Sequence, residues 1–453
     1  MTHHTIRRGL NIPLAGKPEP RIDRSPLPTT VALHVADAPG CKFKILAREG
    51  VSVKYGEILC YLRGSEDIVF RSPAGGTVRA IRLGHRRALQ EIVIEPASDE
   101  PAETFRSWKE SDILHAEPDT LRRHLLFSGL WPLLTQRPLA KIPRPTAIPV
   151  AIYINAMSTA PLQAQTPILL QDRIDDFILG TRILSRMGSG KTYLCRTRED
   201  LPGVDARSLG HLEIHTFSGP HPAGLPGIHI RHIQPLKRNE TAWTIRAEDV
   251  ADIGFLFRTG TFPVERVIAL SGSAVIQPGY LRTRLGASLA SLLKNRVSPD
   301  GPVRIIAGDV LAGKSTEIDR HLSMFSRTLT VIPEGTTRAF MGWSLPGFSV
   351  YSAMRTFASS LLPRRTVHLD TRVHGGKRAL ISIGQWEKVF PFDIHLPALI
   401  RAINANDTQE AEKLGLLELV EEDVALCAFI DPSKQELSDI IRRGLDLFEA
   451  ENM

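Results

Sequence analysis

The sequence predicts a multidomain α/β protein that opens with a small all-β domain, and three observations support this prediction. The chain has 453 residues, more than one ordinary hydrophobic core organises, so we expect two to four domains. Short alternating strands separated by turn residues fill residues 30–95. From about residue 100 to 255, helical and strand patterns alternate, which is typical of proteins with a parallel sheet.

The N-terminal region combines an extended arm with a compact β domain. Residues 1–29 are rich in proline and charge, which predicts the arm. The segments REGVSVKYGEILCYL and SPAGGTVRAI that follow resemble a lipoyl-like barrel-sandwich. In carriers of that fold an exposed hairpin bears a modified lysine, but here Ile68 follows Asp67 at that position. We therefore expect a scaffold without carrier function, because a fold alone does not fix function.

The middle of the chain has the pattern of a Rossmann-like α/β domain. ESDILHAEPDTLRRHLLFSGL and DRIDDFILGTRILSRM space their apolar residues as helices do. AIPVAIYINAM is apolar, β-branched and bounded by prolines, and KTYLCRT follows the second helix with the pattern of a strand. This alternation favours a parallel sheet covered by helices.

Two further domains are predicted after residue 255. VERVIALSGSAVIQPGYLRTRLGASLASLL predicts a strand, a turn at Gly272, a second strand and a helix, which fits a small β-grasp domain. The remainder mixes strands with a helical end, with helices in NDTQEAEKLGLLEL and KQELSDIIRRGLDLFEA. Its acidic residues Glu410, Glu412 and the run Glu421–Asp423 are expected on solvated faces.

The stretch HTFSGPHPAGLPGIHIRHI, residues 215–233, is unusually dense in glycine, proline and histidine. That density of breakers predicts a long rigid loop that lets backbone approach something closely. The open interpretations are an anion-binding loop, a subunit contact, a metal site, or a structural turn with exposed histidines. A metal site is disfavoured because cysteine and acidic ligands are not spaced alongside.

Composition excludes several classes of protein. Four scattered cysteines argue against a disulfide framework and against a four-cysteine cluster. No run approaches the ~18 to 20 apolar residues that cross a bilayer, and no secretory signal is visible, so a cytoplasmic location is expected. The net charge of +7 suits docking near an anionic membrane face. Nucleic-acid binding is not expected, because the arginines are dispersed and aromatic residues form only 6% of the chain.

One stretch matches a phosphate-binding loop. Gly308–Ser315 reads GDVLAGKS, which satisfies G-x-x-x-x-G-K-[ST], and a helix could open after it. The preceding VRIIAG has the pattern of a strand, but no later strand ends in an aspartate that could bind magnesium. A nucleotide-binding protein that uses this loop is therefore the alternative function.

Five segments in the same order carry a family resemblance. They are GLNIPLAGKPE at Gly9–Glu19, FRSPAGGTVRAIRLGHRRALQEIVIE at Phe70–Glu95, LLFSGLWPLLTQRPLAKIP at Leu125–Pro143, HPAGLPGIHI, and LCAFIDPSKQELSDIIRRGL at Leu426–Leu445. These segments closely resemble the A subunit of the sodium-translocating NADH:quinone oxidoreductase, the NqrA family. The resemblance runs over nearly the whole chain.

The sequence patterns, together with the resemblance, divide the chain into five regions. They are an N-terminal arm (1–29), a lipoyl-like barrel-sandwich (30–100), a Rossmann-like α/β domain (101–255), a β-grasp domain of the soluble-ligand-binding type (256–332) and a C-terminal α+β or helical domain (333–453). The resemblance also implies a peripheral subunit on the cytoplasmic side of the bacterial inner membrane. The six-subunit complex would couple NADH oxidation and ubiquinone reduction to sodium export, and this chain would dock chiefly on the quinone-reducing B subunit in the membrane.

The resemblance places the cofactors on other subunits. Related flavin and iron–sulfur proteins use a glycine-rich loop and Cys-x-x-Cys spacing, whereas SGLWPLLTQRP at Ser128–Pro138 has one glycine. At the C-terminus Cys427 stands alone, and the resemblance places Asp431 where other members of the family carry a second cysteine. One thiolate cannot hold a cluster that requires four. We therefore expect no tightly bound cofactor and no metal here, and FAD, FMN, riboflavin and 2Fe-2S on partner subunits.

A ubiquinone contact is the remaining candidate for a site in this chain, and no catalytic residue is expected. An apolar slot with one or two hydrogen-bond donors is what a quinone needs. The candidate residues are His221, Gly224, Gly227, His229, Trp131 and Arg137. The competing interpretation is core or interface packing for Trp131, and a rigid loop against a neighbouring subunit for the histidines.

Overall fold

The computed structural model describes most of the chain and resolves a series of strands and helices. The described residues are 2–38, 40–199, 201, 204, 209–336, 346–348, 350–353, 356–361, 366–381 and 383–452. The strands are β1 (Thr2–Thr5), β2 (Ile22–Arg24), β3 (Val31–His34), β4 (Phe43–Ile45), β5 (Ser52–Val53), β6 (Ile58–Leu62), β7 (Ser65–Arg71), β8 (Gly76–Leu83), β9 (Leu89–Pro96), β10 (Thr135–Arg137), β11 (Ala151–Ala156), β12 (Lys191–Arg196), β13 (Glu213–Ser218), β14 (Ala242–Arg246), β15 (Glu265–Ser271), β16 (Gly279–Arg284), β17 (Val303–Ala307), β18 (Lys314–Thr316) and β19 (Thr328–Pro333). The helices are α1 (Glu110–His115), α2 (Pro118–Phe127), α3 (Thr166–Leu169), α4 (Ile174–Ser185), α5 (Pro226–Ile233), α6 (Ala247–Thr259), α7 (Leu289–Leu293), α8 (Leu396–Asn404), α9 (Thr408–Lys413), α10 (Glu421–Ile430) and α11 (Leu437–Asn452).

The N-terminal β domain consists of two small antiparallel sheets. One has the strand order β3-β9-β8-β5 and the other β4-β6-β7. Alternate residues of the strands point inward, so Leu59, Phe70, Val78 and Ile92 form a common core. Ile68 is buried in the middle of β7, so an apolar core residue occupies the position of the modified lysine in carrier domains.

The α/β domain contains a six-stranded sheet of order β1-β13-β12-β11-β14-β10. All neighbours pair in parallel except β10, which is antiparallel to β14. The chain builds β11, β12 and β13 in one direction and then returns to place β14 on the other side of β11. The strand order therefore reverses between β11 and β14.

The sheet is covered on both faces, and β11 shows how its sequence provides for this. Ile152 and Ile154 point toward α4 and α6, whereas Ala151 and Tyr153 point toward the C-terminal helices α8, α10 and α11. Helices α4 and α6 pack backbone to backbone, because a Cβ on Gly254 would lie 1.8 Å from the Asp176 carbonyl oxygen.

The β-grasp region forms a second mixed sheet, with the order β18-β17-β19-β15-β16-β2. Ile268, Leu281, Leu329 and Val331 form its core together with α7. The predicted strand, turn, strand and helix are all present here. In the described residues after Pro333 the regular elements are helices, where the sequence predicted strands as well.

The N-terminal arm is extended but does not stand apart from the domains. Its first strand, β1, is the edge of the α/β sheet, and β2 is the edge of the β-grasp sheet. Between them Leu14 forms a bridge with Val367. The first 29 residues thus connect three parts of the molecule.

The prediction of one long loop over residues 215–233 is wrong. Strand β13 runs through its beginning, and α5 occupies its end, so that 219–225 alone is irregular. Proline at the start of a helix removes an N–H that would have no intrahelical partner, and its fixed φ suits the first turn. Pro226 therefore starts a helix, where the sequence pattern favoured a break.

Candidate functional site

The loop 219–225 closes over the carboxyl end of β11. The Asn155 side-chain amide donates to the Gly224 carbonyl oxygen at 2.9 Å, and the Gly224 N–H donates to Thr159 Oγ1 at 2.9 Å. His221 Nδ1 lies 3.2 Å from the same hydroxyl oxygen. The Leu10 N–H donates to the His221 carbonyl oxygen at 2.9 Å. The arm, the loop and the strand end are therefore held as one unit.

The two candidate histidines of this region are interior groups. Burial lowers the pKa of His221 to about 4 and that of His229 to about 3, so both rings are neutral at neutral pH. His229 Nε2 donates to the Ala223 carbonyl oxygen at 3.1 Å, and its ring lies 4.4 Å from that of Phe217. The interpretation of a turn with exposed histidines is therefore wrong for these two residues.

Arg137 and Gly227 meet at a buried carboxylate that the sequence pattern placed on the surface. Arg137 Nη1 lies 3.2 Å from Asp423 Oδ2, and Nη2 lies 3.4 Å from Glu422 Oε1. A Cβ on Gly227 would lie 2.5 Å from Asp423 Oδ1, so this carboxylate sits against the first turn of α5. A helix N-terminus favours negative charge. The prediction that Glu421–Asp423 is a solvated run is wrong for Asp423, which is fully buried.

Trp131 lies in a different part of the molecule. Its indole N–H donates to the Pro143 carbonyl oxygen at 2.8 Å, and its ring packs edge-on against Trp243 at 5.2 Å. It belongs to the core between the β domain, α4 and α6. The structure thus brings Arg137 and Gly227 together, holds His221 and Gly224 at the end of β11, and leaves Trp131 apart. Quinone contact by these residues stays a prediction.

A second site lies at the strand-order reversal, and sequence reasoning missed it. In open α/β sheets, ligands bind beyond the carboxyl ends of the strands where the order reverses. Here Arg327, which precedes β19, reaches into that crevice and pairs with Asp249 and Asp252 at the start of α6. Arg266 Nη2 lies 3.0 Å from Asp252 Oδ2, and Arg173 Nη1 lies 2.7 Å from Asp252 Oδ1. The crevice therefore holds a buried ion-pair network.

Backbone contacts close the same crevice. The Ala164 N–H donates to Thr328 Oγ1 at 2.9 Å, and the Gln165 N–H donates to the Tyr280 hydroxyl at 3.0 Å. What remains is a cavity of about 20 Å³, which has room for about one water molecule. The β-grasp domain thus occupies the place at which a Rossmann-like domain ordinarily receives its ligand.

The charges of this network are matched. Burial alone would raise the pKa of Asp249, but Arg246 and Arg327 outweigh it and hold the pKa below its usual range. Burial lowers the pKa of Arg266 to about 10, which leaves it charged at neutral pH. Arg246 Nε lies 3.0 Å from Asp249 Oδ2 at the other end of the network. Asp249 and Asp252 therefore each face more than one guanidinium, as burial of charge requires.

The phosphate-loop pattern at Gly308–Ser315 forms a turn between antiparallel strands. Lys314 begins β18, which pairs with β17, so the expected helix after the loop is wrong. Asp309 Oδ1 accepts from the N–H groups of Leu311 at 2.8 Å and Ala312 at 3.0 Å. These are the kind of backbone donors that a phosphate would need. The turn therefore binds its own carboxylate.

The cysteines and possible metal ligands form no site in the described part of the chain. All four cysteines are free thiols, and burial raises the pKa of Cys427 far above its usual range. Among the described residues, no group of three or more His, Cys, Asp or Glu side chains is arranged to hold a metal ion. No helix formed by those residues is long and apolar enough to cross a membrane.

Comparison with family models gives three matches along the chain. Residues 4–97 match the NqrA N-terminal barrel-sandwich hybrid domain, residues 116–262 the NqrA second alpha/beta domain, and residues 267–317 the NQRA C-terminal domain. Together these models cover more than half of the sequence, in the order in which the structure builds its domains.

Full-length relatives agree with the domain models. The chain is 40% identical over 454 aligned residues to the A subunit of the Na(+)-translocating NADH-quinone reductase of Histophilus somni (strain 129Pt), covering 99% of both chains. The proteins of that name from Pasteurella multocida and Neisseria meningitidis serogroup B are each 39% identical over 448 residues, covering 98–99% of this chain and 99% of theirs. Among solved structures, that of an NAD+-reducing [NiFe]-hydrogenase in the air-oxidized state aligns over 52% of this chain and 52% of its own, at 13% identity and a TM-score of 0.35. A likeness this weak indicates no relationship.

Proposed function

This chain belongs to the family formed by the A subunit of the Na(+)-translocating NADH-quinone reductase, and on that premise we propose that it is the A subunit of a sodium-pumping respiratory complex. The observation that carries the proposal is 40% identity to a named A subunit over 99% of both chains. In this role the chain acts within a translocase that couples NADH oxidation and ubiquinone reduction to sodium export, and has no activity alone.

The proposed partners are the other five subunits of the complex, chiefly the quinone-reducing B subunit in the membrane. The proposed location is the cytoplasmic face of the inner membrane, reached through these partners. A net charge of +7 supports a position beside an anionic membrane face. The chain would then serve mainly in assembly.

The chain is proposed to carry no tightly bound cofactor, with FAD, FMN, riboflavin and 2Fe-2S on partner subunits. Two features support this. Arg327 and Thr328 of the β-grasp domain fill the crevice of the Rossmann-like domain. Asp309 occupies the backbone donors of the phosphate-loop pattern. The position of Asp309 also argues against the alternative function as a nucleotide-binding protein.

Direct quinone contact is a separate, narrower proposal. Of the six candidates, His221, His229, Trp131 and Arg137 have buried side chains that already pair or pack within the chain. Their burial favours the packing role over direct contact. A photoreactive ubiquinone analogue added to the intact complex tests this, because crosslinked peptides from 219–233 or 131–137 would support contact and labelling of other subunits alone would contradict it.

The complex itself can be tested by purification through this chain. A tag on the chain, with gentle solubilisation of host membranes, is expected to recover five partners, flavin and sodium-stimulated NADH:quinone reduction. The untagged strain is the control. Recovery of a lone, colourless chain that binds ATP would contradict the proposal, and loss of that binding in Lys314→Ala would establish the phosphate-loop function in its place.

A further inference from the structure

The positive charge of the molecule is concentrated in one segment. Residues 335–386 contain seven Lys and Arg residues and a single acidic residue, Asp370, so the segment has a net charge of +6 by sequence. Three of the seven cations, Arg372, Lys377 and Arg378, are among the residues that the structure describes. The whole chain has a net charge of +7. The other 401 residues are therefore nearly balanced, and residues 335–369 contain no acidic residue at all. Such clustering produces a local field that the overall composition conceals.

The same segment exposes large apolar side chains. Of the fourteen large hydrophobic side chains exposed in the described part of the molecule, five lie here, although the segment is about a ninth of the sequence. Phe348 is 66% exposed and Leu361 is 87% exposed. The other three are Val373, Ile381 and Ile383. Isolated exposed apolar residues are ordinary, but a concentration of them indicates a contact surface.

The apolar and basic parts of the segment are held at the same end of the helical domain. Tyr351, close to Phe348, packs its ring 6.2 Å from that of Phe429 near the end of α10. Four residues further on, the Ser433 carbonyl oxygen accepts from the Arg378 N–H at 2.9 Å. Ser433 Oγ also accepts from the Ile381 N–H at 3.2 Å. The end of α10 and the turn after it thus anchor both parts.

We propose that the described residues 346–348, 350–353, 356–361, 366–381 and 383–386, here called the basic apolar segment, bind the headgroup layer of an anionic lipid bilayer. Binding at such a surface combines buried apolar side chains with cations close to anionic headgroups. A bilayer offers diffuse negative charge above an apolar layer and requires no matching shape. It therefore suits exposed apolar and basic side chains that lie along one irregular stretch of chain.

The proposal deepens the proposed function, because a chain that docks beside membrane partners lies within reach of the lipid surface. Its test does not need the complex, so the lipid-binding proposal and the proposed function can fail separately. The full-length chain is mixed with vesicles of phosphatidylcholine alone, or with about one third phosphatidylglycerol, and sedimented. Binding is expected only to the anionic vesicles, and it is expected to be lost at about 1 M salt, where the screening length is about 3 Å.

Matched variants locate the surface. Lys377→Glu with Arg378→Glu, and separately Phe348→Ser with Leu361→Ser, are expected to weaken partitioning about tenfold or more. The controls make equal changes at exposed positions elsewhere, namely Arg86→Glu with Arg87→Glu, and Leu27→Ser with Leu114→Ser. These should change partitioning less than about twofold. Unchanged thermal unfolding in all four variants shows that the fold is intact.

Three outcomes would overturn the proposal. The first is no sedimentation of the wild-type chain with anionic vesicles. The second is an equal loss of binding in the Arg86 and Arg87 control. The third is a set of segment variants that keep vesicle binding but no longer copurify with the complex, which would make the segment a protein interface.

Discussion

Two charge clusters in this molecule, each built on a buried carboxylate, differ in how their charges are balanced. At the strand-order reversal, Arg173, Arg266 and Arg327 surround Asp252, and Arg246 and Arg327 flank Asp249. Against α5, one guanidinium, Arg137, faces both Glu422 and Asp423.

The different ratios of guanidinium to carboxylate groups shift the pKa values of the carboxyl groups in opposite directions. The pKa of Asp249 is held below its usual range by guanidinium groups, whereas burial raises the pKa of Asp423 and raises that of Glu422 to about 7. In addition, Asp423 Oδ1 has no hydrogen-bond partner in the described part of the chain. The first cluster therefore holds the two domains together with permanently charged groups. In the second cluster a carboxylate can take up a proton.

The largest effect is expected from breaking the first cluster. Arg327→Met leaves Asp249 and Asp252 with fewer cations in a buried interface, and should lower the free energy of unfolding by about 3–5 kcal/mol. Denaturant unfolding measures this. Arg238→Met removes an ion pair with Glu412 in which the Arg238 side chain is mostly exposed, and is the matched control with a much smaller loss. Equal losses of unfolding free energy in the two variants would mean that Arg327 does not stabilise the crevice.

A smaller effect is expected in the second cluster. Arg137→Met should cost about 2 kcal/mol, because burial already raises the pKa of Asp423 and its neutralisation costs less than the full penalty of an unpaired buried charge. The double variant Arg137→Met with Asp423→Asn should lose less than the two single variants together. Additive losses would show that Arg137 and Asp423 do not interact.

The second cluster should also give the stability a dependence on pH. Burial, and then Asp423 and Asp309, raise the pKa of Glu422 to about 7, and Arg137 opposes them. Because the folded pKa lies above the unfolded value, the stabilising contribution of protonated Glu422 is complete below about pH 4.5 and is lost as pH rises through 7. Glu422→Gln should therefore gain stability relative to wild type between these values. Thermal unfolding across pH checks this, and a constant difference would contradict the raised pKa.

The smallest effect is expected at the phosphate-loop pattern. Lys314 is an exposed side chain at 3.5 Å from Asp37. Lys314→Ala should leave thermal unfolding, assembly and pump activity unchanged, because surface ion pairs contribute little. Loss of activity in this variant, or ATP binding by the wild-type chain, would contradict the role given to Asp309.

Elements with a strong local pattern were predictable. The apolar run of β11, the helical spacing of α4 and the strand pair β15 and β16 all form where their sequences predict them. Prediction from the local sequence failed where proline or glycine is compatible with two different structures. Pro226 begins α5 although proline is a breaker elsewhere, and a Gly-Lys-Ser stretch after a strand leads into a second strand, β18.

The buried clusters could not be predicted, because their partners are far apart in sequence. Arg327 pairs with Asp249 across 78 residues, and Arg137 pairs with Asp423 across 286. Acidic residues in the first turn of a helix, such as Asp249 and Asp423, are ordinary on a solvated face. Only tertiary packing turns them inward, so composition and spacing gave no signal for either cluster. Family resemblance supplied the identity of the complex, but not these contacts.

We propose that this chain is a cofactor-free A subunit whose own β-grasp domain closes the ligand crevice. The most direct test is to purify the complex through a tag on this chain, separate the subunits, and measure flavin and iron in each. Five partner subunits are expected, with all flavin and iron on the partners and none on this chain. Stoichiometric flavin on this chain, or a chain recovered without partners, would contradict it.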